Sequence, residues 1–160
     1  MYVTDDRPAA EARYRARFYF DPNTIAMSNG NAHYIFYGYT TGNTTVALRL
    51  EFRFSTPSYQ LRAALLTDAG SWRTGAWVTL SDAPQVVEFD WRAATAVGAN
   101  NGGLALWLDG TQVTALTGVD NDTRRLERIR LGPVAGLDTG TRGAYFLDAF
   151  EARRLTYIGP

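Results

Sequence analysis

The chain has 160 residues, 46% of them apolar, which is enough to bury one core and argues against disorder. Sixteen basic and sixteen acidic residues balance to a formal net charge of +0, so a nucleic-acid binder working through a basic field is disfavoured. Cysteine is absent, which removes disulfide frameworks, thiolate metal sites and thiol nucleophiles.

The first six residues show neither the basic nor the apolar stretch of an export signal, so an exported protein would carry its signal outside this sequence. Residues 13–20 alternate. Tyr14, Ala16, Phe18 and Phe20 fall on one face, with Arg13, Arg15 and Arg17 on the other. Residues 46–54 repeat the pattern, with Val46, Leu48, Leu50, Phe52 and Phe54 opposed to Arg49, Glu51 and Arg53. A period of two over this length predicts half-buried strands. Further strands are predicted at 33–39, 59–66, 76–80, 85–91, 103–108, 112–116, 126–131 and 144–152. Turn residues separate them, among them Asn29-Gly30, Gly42-Asn43, Asp82-Ala83-Pro84 and Gly140. Asp109-Gly110 suits a two-residue type I′ hairpin turn joining 103–108 to 112–116. The Ala-containing stretch 93–99 is too short for a helix and reads as a loop. No stretch reaches the roughly 18 apolar residues of a membrane-spanning helix. Tyr157-Ile158-Gly159-Pro160 reads as the start of a linker, so the whole of 1–160 reads as one domain of a larger protein. Short strands between Gly, Pro and Asn punctuation indicate an all-β, two-sheet antiparallel sandwich.

Four of these segments carry a resemblance. Gly103-Leu-Ala-Leu-Trp-Leu-Asp-Gly110, Glu88-Phe-Asp-Trp-Arg92, the opening strand 13–20 with Asp21-Pro22-Asn23, and the closing strand 145–153 resemble concanavalin A-like lectin/glucanase domains. Within that superfamily they look most like the laminin-G-like modules of large bacterial secreted and surface proteins. The resemblance implies a jelly roll, a structural Ca²⁺, and binding of glycans or proteins.

Because that superfamily includes glycosidases, catalysis needs a direct test. A retaining glycosidase places two carboxylates about 5 to 5.5 Å apart. The hydrolase members carry Glu-x-Asp followed by a further Glu. Glu88-Phe89-Asp90 supplies the first part, but Arg92 and Ala93 stand where the acid is needed. The single His33 has no Gly-x-Ser-x-Gly partner motif and sits in an aromatic strand, where it reads as a packing residue. Gly140-Thr-Arg-Gly143 is too short to cradle a phosphate. The expectation is a chain that is not an enzyme.

Asp148 lies between Phe146 and Phe150 on one face. A carboxylate among such apolar neighbours needs an arginine, a backbone donor or a hard cation as its partner. Asp120-Asn121-Asp122 is a second candidate metal segment, read first as an Asx-rich turn. For a ligand, Trp72 and Trp77 flank Arg73 and offer a stacking platform with a hydrogen-bond donor, or else Trp77 is buried and Trp72 simply caps the sandwich edge. Tyr37 and Tyr39 with Asn43, and Asn100 with Asn101, are further ligand candidates. Trp91 and Trp107 are assigned to the core. The arginine faces of 13–17 and 49–53 read as ion-pair ladders with Glu51 and Glu151 or, alternatively, as an anionic-glycan groove. The expected function is a non-catalytic, extracellular carbohydrate-binding module, with a structural or adhesive module of a bacterial surface protein as the alternative. The expected partner is a glycan or neighbouring surface-protein domains, with neither nucleic acid nor a membrane span.

Overall fold

A computed structural model of the chain describes every residue except Asn43 and Pro160. Among the described residues there is no helix, so none is long and apolar enough to cross a membrane. The strands are β1 (Val3–Asp5), β2 (Arg13–Asp21), β3 (Ala32–Thr40), β4 (Val46–Ser55), β5 (Ser58–Leu66) and β6 (Trp72–Thr74). They continue with β7 (Val78–Leu80), β8 (Gln85–Arg92), β9 (Gly102–Leu108), β10 (Thr111–Val119), β11 (Leu126–Ala135) and β12 (Phe146–Arg153). One sheet runs β1-β11-β3-β4-β5-β6, with β7 also paired to β5; the other runs β10-β9-β8-β2-β12. Every pairing is antiparallel. The architecture is the expected two-sheet jelly-roll sandwich.

The alternating strands explain the packing. Tyr14, Ala16, Phe18 and Phe20 of β2 are buried against Leu48, Leu50 and Phe52 of β4 and Leu61, Ala63 and Leu65 of β5. Two edge-on aromatic contacts cross between the sheets, Phe36 to Phe89 at 4.8 Å and Phe20 to Phe52 at 4.9 Å. Burying each such side chain stabilises by about 2 kcal/mol, whereas an exposed ion pair contributes about 0.5 kcal/mol. The apolar core, and not the arginine ladders, therefore holds the two sheets together.

The hairpin between β9 and β10 forms as its sequence predicts. Asp109 and Gly110 both take positive φ, 48° and 78°, as a type I′ turn requires. Opening and closing strands are neighbours, and Glu151 lies opposite Arg17. Three expectations fail. Strands β1 and β6 were not predicted, because three residues are too few to show a period. Asp148 does not face the core. Phe146 and Asp148 share the outer face, opposite Asp21 and Tyr19, but the register shift puts Glu151 and not Phe150 next on that face; all three of Phe146, Asp148 and Phe150 are exposed, and Leu147 packs inward. β12 is an edge strand, and a bulge with Ala149 at φ 49° turns the chain there. Trp107 also leaves the core: it is half-buried and lies on the outer face of the five-stranded sheet beside Arg15.

Candidate functional site

The outer face of the seven-stranded sheet concentrates aromatic rings and guanidinium groups. Its register sets them side by side. Tyr37 of β3 lies opposite Arg49 of β4 and Arg130 of β11, and Glu51 lies between Tyr34 and Arg62. Arg49 stacks on Trp72 with its guanidinium carbon 3.8 Å from the ring centroid, and lies 5.1 Å from the Tyr34 ring. Arg130 sits between the rings of Tyr2 and Tyr39 at 4.9 and 5.1 Å. Trp77 takes two guanidiniums, Arg53 at 4.0 Å and Arg62 at 4.2 Å. Both tryptophans are half-buried, and Arg73 beside them is exposed. The reading of Trp77 as a buried residue is therefore corrected: the backbone before β7 carries its ring onto the sheet face.

The array has spare hydrogen-bonding capacity. Glu51 neutralises Arg62 at 2.6 Å, and Gln60 accepts a bond from Arg53 at 2.8 Å. Among the described residues, the Nε donors of Arg49 and Arg130 are buried without a partner. Such donors cost free energy until an acceptor arrives. Burial pushes the Tyr37 hydroxyl up to about 12, helped by Tyr34 and Tyr39, so it is a neutral donor at pH 7 and not a phenolate base. The face can stack apolar sugar surfaces and donate several hydrogen bonds, with more positive than negative charge.

The remaining candidates lie elsewhere. Asn101 accepts bonds from the backbone N–H and hydroxyl of Thr95 and donates to that hydroxyl, so its side chain is committed to its own loop. Asn100 is exposed at positive φ in the same loop. Asn43, grouped with Tyr37 and Tyr39 in the sequence, lies outside the described residues. Asp148 only accepts a bond from the Ala149 N–H.

Asp120 and Asp122 do come together with a third acid that the sequence did not point to, Asp68 of the loop after β5. Their nearest carboxylate oxygens all lie within 4.8 Å. Asp68 accepts bonds from the Thr123 N–H and hydroxyl and pairs with Arg124 at 3.3 Å. Desolvation raises the Asp122 carboxyl, and the bond to Asp68 with the charges of Asp68 and Asp120 raises it further. The carbonyls of Thr67, Asp68 and Asp122 receive the guanidiniums of Arg124 and Arg125. A hard cation at Asp68, Asp120 and Asp122 would compete with the arginines that already hold Asp68 and the adjoining carbonyls. Between the two acids, Asn121 is fully buried. It accepts a bond from the Ala94 N–H and donates to the Arg92 carbonyl, so the turn reading missed its role as a staple.

On the opposite face, Glu88 and Asp90 are both engaged. Asp90 takes a two-pronged bond from Arg13 at 2.9 and 2.6 Å and one from Arg15 at 3.2 Å. Glu88 is 2% exposed, 3.4 Å from Arg15.

No protein-family model matches the chain, and no curated protein matches it in sequence. Solved structures do match. The receptor-binding domain of a botulinum neurotoxin C/D mosaic serotype superposes over 92% of this chain at TM-score 0.61 and 11% identity. The chain spans about a third of that domain, 34% of its length. A heptameric SAP-like pentraxin from Limulus polyphemus matches at TM-score 0.60 and 13% identity, over 93% of this chain and 68% of the pentraxin. Alginate lyase Aly36B in complex with alginate tetrasaccharide matches at TM-score 0.60 and 13% identity, over 91% of this chain and 70% of the lyase. The fold is thus the concanavalin A-like jelly roll, an architecture shared by a toxin receptor-binding domain, a pentraxin and an alginate lyase.

Proposed function

We propose that this chain is a non-catalytic, extracellular glycan-binding module that uses the aromatic–arginine array of the seven-stranded sheet, and that its ligands are acidic polysaccharides. The observation that carries the reading is Trp72 stacked on Arg49 in a row with Tyr34, Tyr37, Tyr39 and Arg130, whose arginine Nε atoms lack acceptors. Sugar rings present C–H faces that stack on aromatics, and uronate or sulfate groups accept from guanidinium forks. Support from the fold neighbours is general: one is solved with an alginate tetrasaccharide, and entry of botulinum neurotoxin type C depends on two ganglioside molecules. The non-catalytic part is supported by Glu88 and Asp90 being tied to arginines, and by the protonated state of Tyr37.

Calorimetric titration with alginate and with a neutral β-glucan tests the proposal. Wild type should bind the acidic polymer, and Trp72→Ala should weaken it by roughly tenfold without lowering the melting temperature. Folded protein that binds no polysaccharide of either kind would rule the reading out. One observation then favours the adhesive alternative: Phe146 and Phe150 are 57% and 37% exposed on the edge strand β12, where a partner protein could dock.

A further inference from the structure

Residues 157–159 were expected to begin a linker, yet they lie across the outer face of the five-stranded sheet. The contacts are specific. The two oxygens of Glu88 accept the successive backbone N–H groups of Ile158 and Gly159, at 3.1 and 3.0 Å. Arg17 donates to the Gly159 carbonyl at 2.8 Å, and Arg153 to the Tyr157 carbonyl at 3.3 Å. The Arg15 guanidinium lies 5.0 Å from the Trp107 ring and 5.1 Å from the Tyr157 ring. Gly159 is buried at φ +81°, a conformation that L side chains rarely adopt.

We propose that this face is a peptide-binding groove that reads main chain, and that residues 157–159 fill it in cis as a strap. A carboxylate accepting two consecutive N–H groups, with a guanidinium on the following carbonyl, is the complement of a turned backbone whose successive N–H groups converge, as Gly159 at positive φ allows, and not of an extended strand, in which they alternate. Selectivity comes from the stacking place for an aromatic side chain and the positive φ two residues later. The ligand class is therefore a peptide of the form aromatic–aliphatic–glycine. The groove is longer than the strap: a cleft of about 250 Å³ lies beside it, lined in part by Arg15, Asp90, Trp107 and Gln112. Glu88 is a buried carboxylate that the apolar core does not use. With the strap seated, it has two backbone donors besides Arg15.

The test uses the full chain. Amide hydrogen exchange should find Ile158 and Gly159 protected in wild type, and Gly159→Val should release both. A fluorescent peptide, acetyl-Leu-Thr-Tyr-Ile-Gly-amide, should then bind Gly159→Val by anisotropy. It should bind wild type at least about tenfold more weakly, because a tethered strap competes at an effective concentration of order millimolar. Adding Arg17→Gln to Gly159→Val should weaken the peptide by about fivefold, for loss of one charge-assisted bond. Tyr157→Ala serves as a second released form should Gly159→Val fold poorly. The proposal is overturned if the Ile158 and Gly159 amides exchange at unstructured-chain rates in wild type. It is also overturned if neither released form binds peptide better than wild type does. A concentration-dependent dimer in which the strap crosses between copies would overturn the cis assignment.

Discussion

His33 is buried to 1% exposure, packed edge-on to Phe52 at 5.5 Å and stacked with Tyr145 at 5.7 Å. Among the described residues neither ring nitrogen has a hydrogen-bond partner, and the Tyr145 hydroxyl is likewise buried without one. Burial drives the imidazole down from 6.5 to about 4, against the pull of Asp138. The unfolded chain therefore binds a proton that the folded chain refuses between pH 6.5 and 4. Stability is complete above about pH 6.5 and should fall by about 3 kcal/mol as pH drops to 4. Urea midpoints measured at pH 7 and pH 4.5 check this: His33→Gln, which cannot take the proton, should flatten the dependence in that window. A slope unchanged by the substitution would assign the pH effect to other groups. The sequence gives the chemistry of this site, a single histidine among aromatics. It does not give the missing partners, which depend on packing from β4 and the approach to β12.

The loop 120–122 shows how one side chain fixes several elements. Asn121 holds the backbone after β8 through the Ala94 N–H and the Arg92 carbonyl. It lies so close to Gly102, at the start of β9, that a Cβ there would stand 1.8 Å from its Oδ1. Asn121→Ala would leave the buried Ala94 N–H without a partner and free the part-buried Arg92 carbonyl, at a cost of about 1–3 kcal/mol. Gly102→Ala should be destabilising for the opposite reason, steric overlap. Thermal melts of both variants check the pair; a shift of under about 2 °C for Asn121→Ala would show that water replaces its bonds. Period-two alternation made β2, β4 and the β9–β10 hairpin readable in advance. Asn121 was not readable, because its partners lie 27 and 29 residues away in the chain.

At the scale of the whole molecule, equal numbers of acids and arginines conceal an uneven distribution. Arg49, Arg53, Arg62 and Arg130 gather with aromatic rings on the seven-stranded face, where Glu51 pairs with Arg62. On the five-stranded face Arg13, Arg15 and Arg17 meet Asp90, Glu88 and Glu151. Binding of an acidic polysaccharide to the first face should weaken as salt rises from 0.05 to 0.5 M, roughly over the range in which screening shortens from ~14 to ~4 Å. Titrations at the two salt concentrations check this; salt-independent affinity would assign binding to stacking alone. By itself the sequence determined the fold class, the strands with a clear period, the type I′ hairpin and the inward set of Tyr14, Phe18, Leu50 and Phe52. All of these follow from local alternation and turn chemistry. Only the tertiary structure decided which outward residues meet. It set Arg49 on Trp72, brought Asp68 to Asp120 and Asp122, exposed Asp148, and moved Trp107 from the core to the face crossed by residues 157–159. Alternation tells which side of a strand a residue occupies, but neighbours on that side follow from strand order, register and bulges, which are set by pairing between distant segments.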